Sequence, residues 1–203
     1  MRDVTADPDG QLSDRELLSR SGSDPEAFGV LFERHFDKIF GYIFRRVGSW
    51  DAARDLTSEV FLKALRTRWR FRWTGAPVSA WLYAIATNEI RMYLRSGRRA
   101  PVSLDALISE AGIRTSDALV SAAREQQAEA ELRLEQSQEF ERTRIAMLKL
   151  PIKYQEVIAL RFFEERSIAE IAVVLGKREG TVKSLLSRGL SLLRDMLAED
   201  TMS

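Results

Sequence analysis

The side chains that could do chemistry in this chain of 203 residues are mostly arginine, lysine, tryptophan and short polar residues. Cysteine is absent and histidine occurs once, which leaves little for thiol catalysis, disulfides or a histidine-based metal site. The stretch 61–100 contains nine basic residues and one acidic residue, a net charge of +8. Arginine interleaved with tryptophan is typical of a surface that binds nucleic acid, although a solvated helix face could have the same composition.

The overall charge of +1 hides a strong segregation of charge along the chain. Residues 1–60 have a net charge of −4, residues 101–141 of −6 and residues 142–203 of +3. No apolar run approaches the ~18 residues of a membrane span, and residues 1–20 lack the apolar core of a secretory signal. We therefore expect a cytoplasmic bacterial protein without membrane insertion, cofactor, metal site or catalytic residues.

Residues 168–187 have the pattern of a helix-turn-helix. Ser167 and Glu170 predict a capping box at the start of the first helix, Gly176 suits the turn, and Val182 is one of the apolar residues that would lock the second helix. The polar residues near and on the second helix are then available to contact duplex DNA: Arg178, Thr181, Lys183, Ser184, Ser187 and Arg188. An ordinary helical hairpin is the alternative interpretation.

Helical periodicity predicts an all-α fold that positions these residues. Apolar residues at three- and four-residue spacing predict helices at about 25–47, 50–69, 79–95, 142–150, 154–163, 168–175 and 178–197. They group into an N-terminal helical bundle over 24–100 and a C-terminal four-helix domain over 139–203. Residues 1–23 are interpreted as a tail, and residues 101–138 as an acidic linker.

Several aromatic side chains in or near the basic stretch need a position. His35, Trp69 and Trp81 are expected to pack in the core of the bundle or at its boundary. Trp73 lies in a predicted loop that glycine and proline interrupt, where it could stack on an unpaired base.

Two blocks of this sequence resemble the conserved domains of bacterial sigma factors of the extracytoplasmic-function (ECF) type. Residues 167–189 resemble the domain that reads the −35 promoter element. Residues 55–64 and 80–88 resemble the domain that binds polymerase and opens the −10 element. The resemblance covers roughly 24–100 and 139–197, and it implies a factor that binds core RNA polymerase and directs promoter-specific initiation.

The resemblance also implies roles for individual residues. The first domain would dock on the clamp helices of the largest polymerase subunit through Asp55, Leu56, Glu59 and Phe61, although core packing explains Leu56 and Phe61 equally well. Melted −10 DNA would be bound by Arg72, Trp73, Thr74, Asn88, Arg91 and Arg95. The second domain would meet the flap of the second-largest subunit, and an anti-sigma protein is an expected partner.

The sequence departs from the family pattern at four positions. Ser58 stands where the family usually has glutamine, and basic residues usually occur near Leu185, Gly189 and Leu190. We therefore expect −35 binding that is weak or depends on a partner.

Two other classes of function compete with this interpretation. A dimeric helix-turn-helix regulator acting without core polymerase would bind an operator tightly by itself. An enzyme would need a nucleophile, a metal cluster or a phosphate-binding loop, and the sequence shows no such constellation.

Overall fold

The computed structural model describes residues 12–71, 75–96 and 142–201. Within these ranges the chain forms the helices α1 (Asp14–Arg20), α2 (Pro25–Val47), α3 (Trp50–Thr67), α4 (Val78–Arg95), α5 (142–149), α6 (Ile152–Ile158), α7 (Ile168–Leu175) and α8 (Glu179–Thr201). The prediction of an all-α protein with two helical domains is confirmed. The predicted linker 101–138 lies outside the described residues.

Local sequence signals set the ends of the long helices. The Asp24 carboxylate accepts a hydrogen bond from the backbone N–H of Glu26 at 3.0 Å, and Pro25 is the first residue of α2. Gly48 ends α2 with a φ of 72°, in the left-handed region that favours glycine. The next helix, α3, is shorter than predicted because Arg68–Arg70 form a 3₁₀ turn.

The helix α1 was not predicted. Ser13 and Glu16 form a reciprocal capping box at its start, and Leu17 and Leu18 are buried against α2. The interpretation of residues 1–23 as a tail is therefore wrong for this segment. A seven-residue helix has too few apolar positions for periodicity to reveal it, yet two leucines suffice to cover one end of α2.

The first residue of α1 connects this helix to His35. The Asp14 carboxylate accepts hydrogen bonds from Arg34 and pairs with His35 Nε2, each at 2.6 Å. Burial by itself would raise the pKa of Asp14, but the hydrogen bonds and charges of His35 and Arg34 outweigh it and lower that pKa. His35 is buried, as expected for a packing residue.

Aromatic and polar contacts join α2, α3 and α4 into one bundle. The rings of Phe32 and Phe61 lie 4.8 Å apart between α2 and α3. On the opposite side of α2, the buried hydroxyl groups of Tyr42 and Thr87 are 2.8 Å apart and join α2 to α4. This packing fixes the orientation of the outer faces of α3 and α4.

The C-terminal unit, α5–α8, packs directly on the N-terminal bundle, α1–α4. Helix α7 lies against α4, and a π-helical turn at Ala159–Phe163, which continues α6, lies against α2. The two units therefore share an extensive interface, which places α6 next to the C-terminal half of α4.

Candidate nucleic-acid and polymerase interfaces

The turn between α7 and α8 has the geometry that the sequence predicts. Ser167 and Glu170 form the capping box, with the Ser167 N–H donating to the Glu170 carboxylate at 2.8 Å. Burial would raise the pKa of Glu170, but these hydrogen bonds and the nearby Arg166 lower it. Gly176 ends α7 with a φ of 61°. Together the cap and the turn fix the angle at which α8 leaves α7.

One face of α8 is packed tightly against the rest of the C-terminal unit. Val182 is fully buried and Leu186 is 8% exposed. A β-carbon at Gly189 would lie only 3.1 Å from Tyr154 Cβ and 3.2 Å from Ile158 Cδ1 on α6. A long side chain does not fit at Gly189, so the absence of a basic residue there follows from packing and removes no contact with DNA.

The opposite face of α8 is polar and open. The structure leaves all six residues predicted to contact duplex DNA exposed: Arg178, Thr181, Lys183, Ser184, Ser187 and Arg188. Helical spacing puts Thr181, Ser184 and Arg188 in one row, with Lys183 and Ser187 beside it. A rigid helix with this face outward has the form that a major groove admits.

On α4, three of the residues predicted to bind melted DNA lie in one row. Asn88 and Arg95 are exposed, Arg91 lies between them, and the Arg91 guanidinium donates to the Asn88 side-chain oxygen at 3.3 Å. An amide flanked by two guanidinium groups suits a base edge next to phosphates. Arg72, Trp73 and Thr74, the other residues predicted for this site, lie outside the described residues.

Arg91 also binds the C-terminal unit. Its Nε and Nη2 donate to the two oxygens of Glu156 on α6 at 2.6 and 2.7 Å. This hydrogen bonding, together with the charge of Glu156, raises the pKa of Arg91. The Glu156 side chain is 2% exposed, and the buried Arg46 of α2 also lies near it, with Nη2 3.6 Å from Oε1.

A second carboxylate crosses the same interface. Glu164, 4% exposed and located just after the π turn, pairs with Arg45 of α2 and accepts a hydrogen bond from the Tyr83 hydroxyl of α4. Burial raises the pKa of Tyr83, and the hydrogen bond to Glu164 raises it further, so this hydroxyl stays protonated. The Arg166 guanidinium lies over the Tyr83 ring at 5.1 Å. The sequence analysis did not find this cluster, because its members are far apart in the chain.

The outer face of α3 carries the residues predicted to contact polymerase. Asp55 and Glu59 are exposed one turn apart, and Leu56 is half-buried beside them. Ser58 is also exposed, so its departure from the family pattern falls on a surface position. Phe61 differs from the others: it is 3% exposed in the aromatic contact with α2, where it packs the helix and is not available to a partner.

Trp69 is exposed, which contradicts the prediction that it packs in the core. It is 72% exposed at the end of the 3₁₀ turn, and the Arg70 guanidinium lies 4.7 Å from the centre of its ring. Trp81 is half-buried against the core as expected, with its ring 5.2 Å from that of Phe71. The arginines on both sides of Trp69 are the sequence signal that could have identified it as a surface residue.

Known families and proteins match both parts of the chain. The family Sigma-70 region 2 matches residues 31–100, and Sigma-70, region 4 matches residues 141–193. The ECF RNA polymerase sigma factor SigW of Bacillus subtilis is 31% identical over 176 residues, which cover 87% of this chain and 91% of SigW. The chain belongs to the ECF sigma factors.

Other relatives of this sigma factor agree with the assignment. The ECF sigma-E factor of Escherichia coli is 32% identical over 88% of this chain and 91% of its own. BldN of Streptomyces coelicolor is 33% identical over 91% of this chain, but the match spans only 66% of BldN. Proteins of this family are transcription factors that bind core RNA polymerase and direct initiation from specific promoters, and this chain is such a factor.

Solved structures support the fold of the sigma factor. CnrH, determined in complex with the cytosolic domain of CnrY, aligns with a TM-score of 0.62 at 23% identity over 92% of this chain and 98% of CnrH. RpoE from Bartonella quintana, determined with the anti-sigma factor NepR, aligns with a TM-score of 0.58 at 21% identity over 84% of this chain and 96% of RpoE.

Two further searches concern metal sites and membranes. Among the described residues, no group of three or more metal-ligating side chains is arranged to hold an ion. None of the helices in the same part of the chain is long and apolar enough to cross a bilayer.

Proposed function

We propose that the sigma factor reads promoter DNA with two separate surfaces, the outer face of α8 for the −35 duplex and the row on α4 for the melted −10 strand. The observation that carries this proposal is the exposed polar face of α8, held rigidly by the packing of Val182 and Gly189. This face supplies hydroxyl groups and three cations, which suit base edges and phosphates.

The −10 surface extends beyond the row on α4. Asn88 and Arg95 contribute an amide and a cation, and the exposed Trp69 adds an aromatic ring beside Arg70. Unstacked bases bind to aromatic rings while cations follow the backbone, so this combination fits a single strand better than a duplex. Together with Arg72, Trp73 and Thr74, these residues form the proposed −10 reader.

The same proposal assigns partners to the remaining surfaces. Asp55, Leu56 and Glu59 on α3 dock on the clamp helices of the largest polymerase subunit, and the C-terminal unit meets the flap of the second-largest subunit. An anti-sigma protein that covers the clamp-binding surface is the expected regulator. The protein then acts in the bacterial cytoplasm, where its polymerase works.

Run-off transcription tests the proposed function directly. Core polymerase is supplied with the full-length sigma factor and a pool of genomic promoters, and new transcript starts are mapped. We expect starts that core polymerase alone does not produce. If none appear, or if the protein binds an operator tightly without polymerase, the proposal is wrong and the dimeric regulator is favoured.

Two variants separate the readers. Lys183→Ala with Arg188→Ala is expected to weaken −35 duplex binding by on the order of 100-fold, because each lost contact is worth about 1–2 kcal/mol. Arg95→Ala is expected to slow open-complex formation while polymerase binding stays unchanged. Glu179→Gln, at the exposed start of α8, serves as a surface control that should affect neither step. Equal loss of polymerase binding in Arg95→Ala would contradict the −10 assignment.

A further inference from the structure

The interface between the two units is held by charges of opposite sign from opposite sides. Region 4, here α5–α8, contributes the carboxylates Glu156 and Glu164. In the described part of the chain, every salt bridge formed by these two carboxylates is with an arginine of region 2, here α1–α4. Both carboxylates are almost completely buried, so they depend on these partners in the closed arrangement.

Separating the two regions would return all of these charges to water. A buried carboxylate without its arginine loses several kcal/mol, whereas a carboxylate on a separated domain is solvated at no such cost. The interface is therefore stable only as a complete set of pairs. This is the property of a contact that opens as a unit when a competitor takes one side.

The competitor for Arg91 is the DNA strand of the proposed −10 reader. Glu156 engages the Arg91 guanidinium with two parallel hydrogen bonds, the same geometry in which arginine binds a phosphate. A guanidinium edge occupied by Glu156 is not available to the backbone of a single strand. Region 4 thus occupies one cation of the −10 reader with a carboxylate in place of a phosphate.

We propose that the free sigma factor is self-masked: region 4 binds the −10 reading surface of region 2 through Glu156 and Glu164, and this interface must open before Arg91 can bind promoter DNA. The inference rests on the proposed function for the role of Arg91 in DNA binding, but the interface itself is independent of it. The partner that fits the arginine surface of region 2 is this chain's own region 4.

The test measures opening and DNA binding separately in the full-length protein. Since the chain has no cysteine, Ser58→Cys on α3 and Ser191→Cys on α8 give two unique exposed sites for spectroscopic labels. The inter-label distance is measured in the otherwise unchanged protein, in Glu156→Gln with Glu164→Gln, and in the control Glu165→Gln. Glu165 is exposed next to Glu164, so the control removes the same charge outside the interface.

We expect the double variant to shift the distance distribution to longer values and the control to leave it unchanged. A labelled single strand from a mapped start should bind the double variant about tenfold more tightly, because the binding-competent fraction rises from roughly a tenth to nearly all. An unchanged distance overturns the inference, and so does opening without any gain in strand affinity.

Two further measurements keep these outcomes interpretable. Tyr83→Phe removes only the hydroxyl that donates to Glu164 and retains the packed ring, so it tests partial opening even if the double variant does not fold. Run-off transcription by the unchanged protein decides the proposed function. If the unchanged protein initiates and its interface does not open in either variant, the inference fails alone; if it opens as expected without initiating anywhere, the proposed function fails.

Discussion

The two regions present their DNA-reading helices in opposite ways. In region 4 the reading face of α8 points away from the rest of the protein, and all six predicted contacts on it are exposed. In region 2 the reading row on α4 faces the domain interface, and its central residue, Arg91, is bound by Glu156. Closure therefore leaves the −35 reader open and occupies part of the −10 reader.

The difference teaches that net charge is a poor guide to which surface is available. Region 2 is the strongly basic one, with +8 over 61–100, and region 4 has a net charge of only +3 over 142–203. The two buried carboxylates of the weakly basic region nevertheless occupy arginines of the strongly basic one. What matters at the interface is where individual charges lie.

Breaking the reader of region 4 alone should give the largest effect. Gly189→Arg forces a long cation against Tyr154 and Ile158, where a single β-carbon is already at 3.1–3.2 Å. We expect region 4 to lose on the order of 3 kcal/mol of unfolding free energy, and −35 binding to fall with it. Thermal unfolding and duplex binding measure the two quantities.

The matched control for this variant is Gly180→Arg. Nothing lies within 4 Å of a β-carbon at Gly180 on the same helix. The same side chain there should leave stability nearly unchanged and strengthen duplex binding by adding a cation. Equal stability of the two variants would show that Gly189 is not a packing position.

The salt dependence of −35 binding should be shallow, which sharpens the contrast between the two regions. The exposed face of α8 has three cations, Arg178, Lys183 and Arg188. If each neutralises one phosphate, affinity falls roughly 40-fold when the salt concentration rises fourfold. A titration of duplex binding measures the slope, and a slope twice as steep would contradict weak electrostatic contact at this site.

A smaller effect is expected from the part of the −10 reader that closure does not cover. Trp69→Ala should weaken binding of a −10 single strand roughly tenfold, since one stacked base is worth about 1–3 kcal/mol. The 72% exposed ring contributes little to folding, so the melting temperature should hardly change. Trp81→Ala, half-buried against the core, is expected to show the reverse pattern, and a stability loss in Trp69→Ala would return Trp69 to a packing role.

Much of the fold and the whole face of α8 could be predicted because their signals are local. Asp24, Gly48 and the pair Ser167 and Glu170 mark helix ends within a few residues of themselves. The polar face of α8 follows from helical spacing once Val182 is assigned to the core. Such features need no knowledge of the rest of the chain.

The features that could not be predicted depend on distant contacts. Arg91 and Glu156 are 65 residues apart, and nothing near either one indicates its partner. Packing at Gly189 depends on α6, which makes a missing basic residue look like a lost DNA contact until the neighbouring helix is known. Tertiary packing, not propensity, decides these positions.

The smallest expected effect lies in α1, which packs on region 2 and takes no part in either reader. Asp14→Asn removes the ion pairs with Arg34 and His35, and we expect a loss of about 0.5–1 kcal/mol in the unfolding free energy of region 2. Because folding lowers the pKa of Asp14, its contribution is present above the ordinary value of 3.8 and is lost as the pH falls through the lower pKa of the folded state. Denaturant unfolding at several pH values should therefore show a difference between the two proteins that shrinks below about pH 4. A difference that grows with acidity would mean that Asp14 is stabilised in its protonated form, while a change in −35 binding would mean that α1 influences region 4 as well.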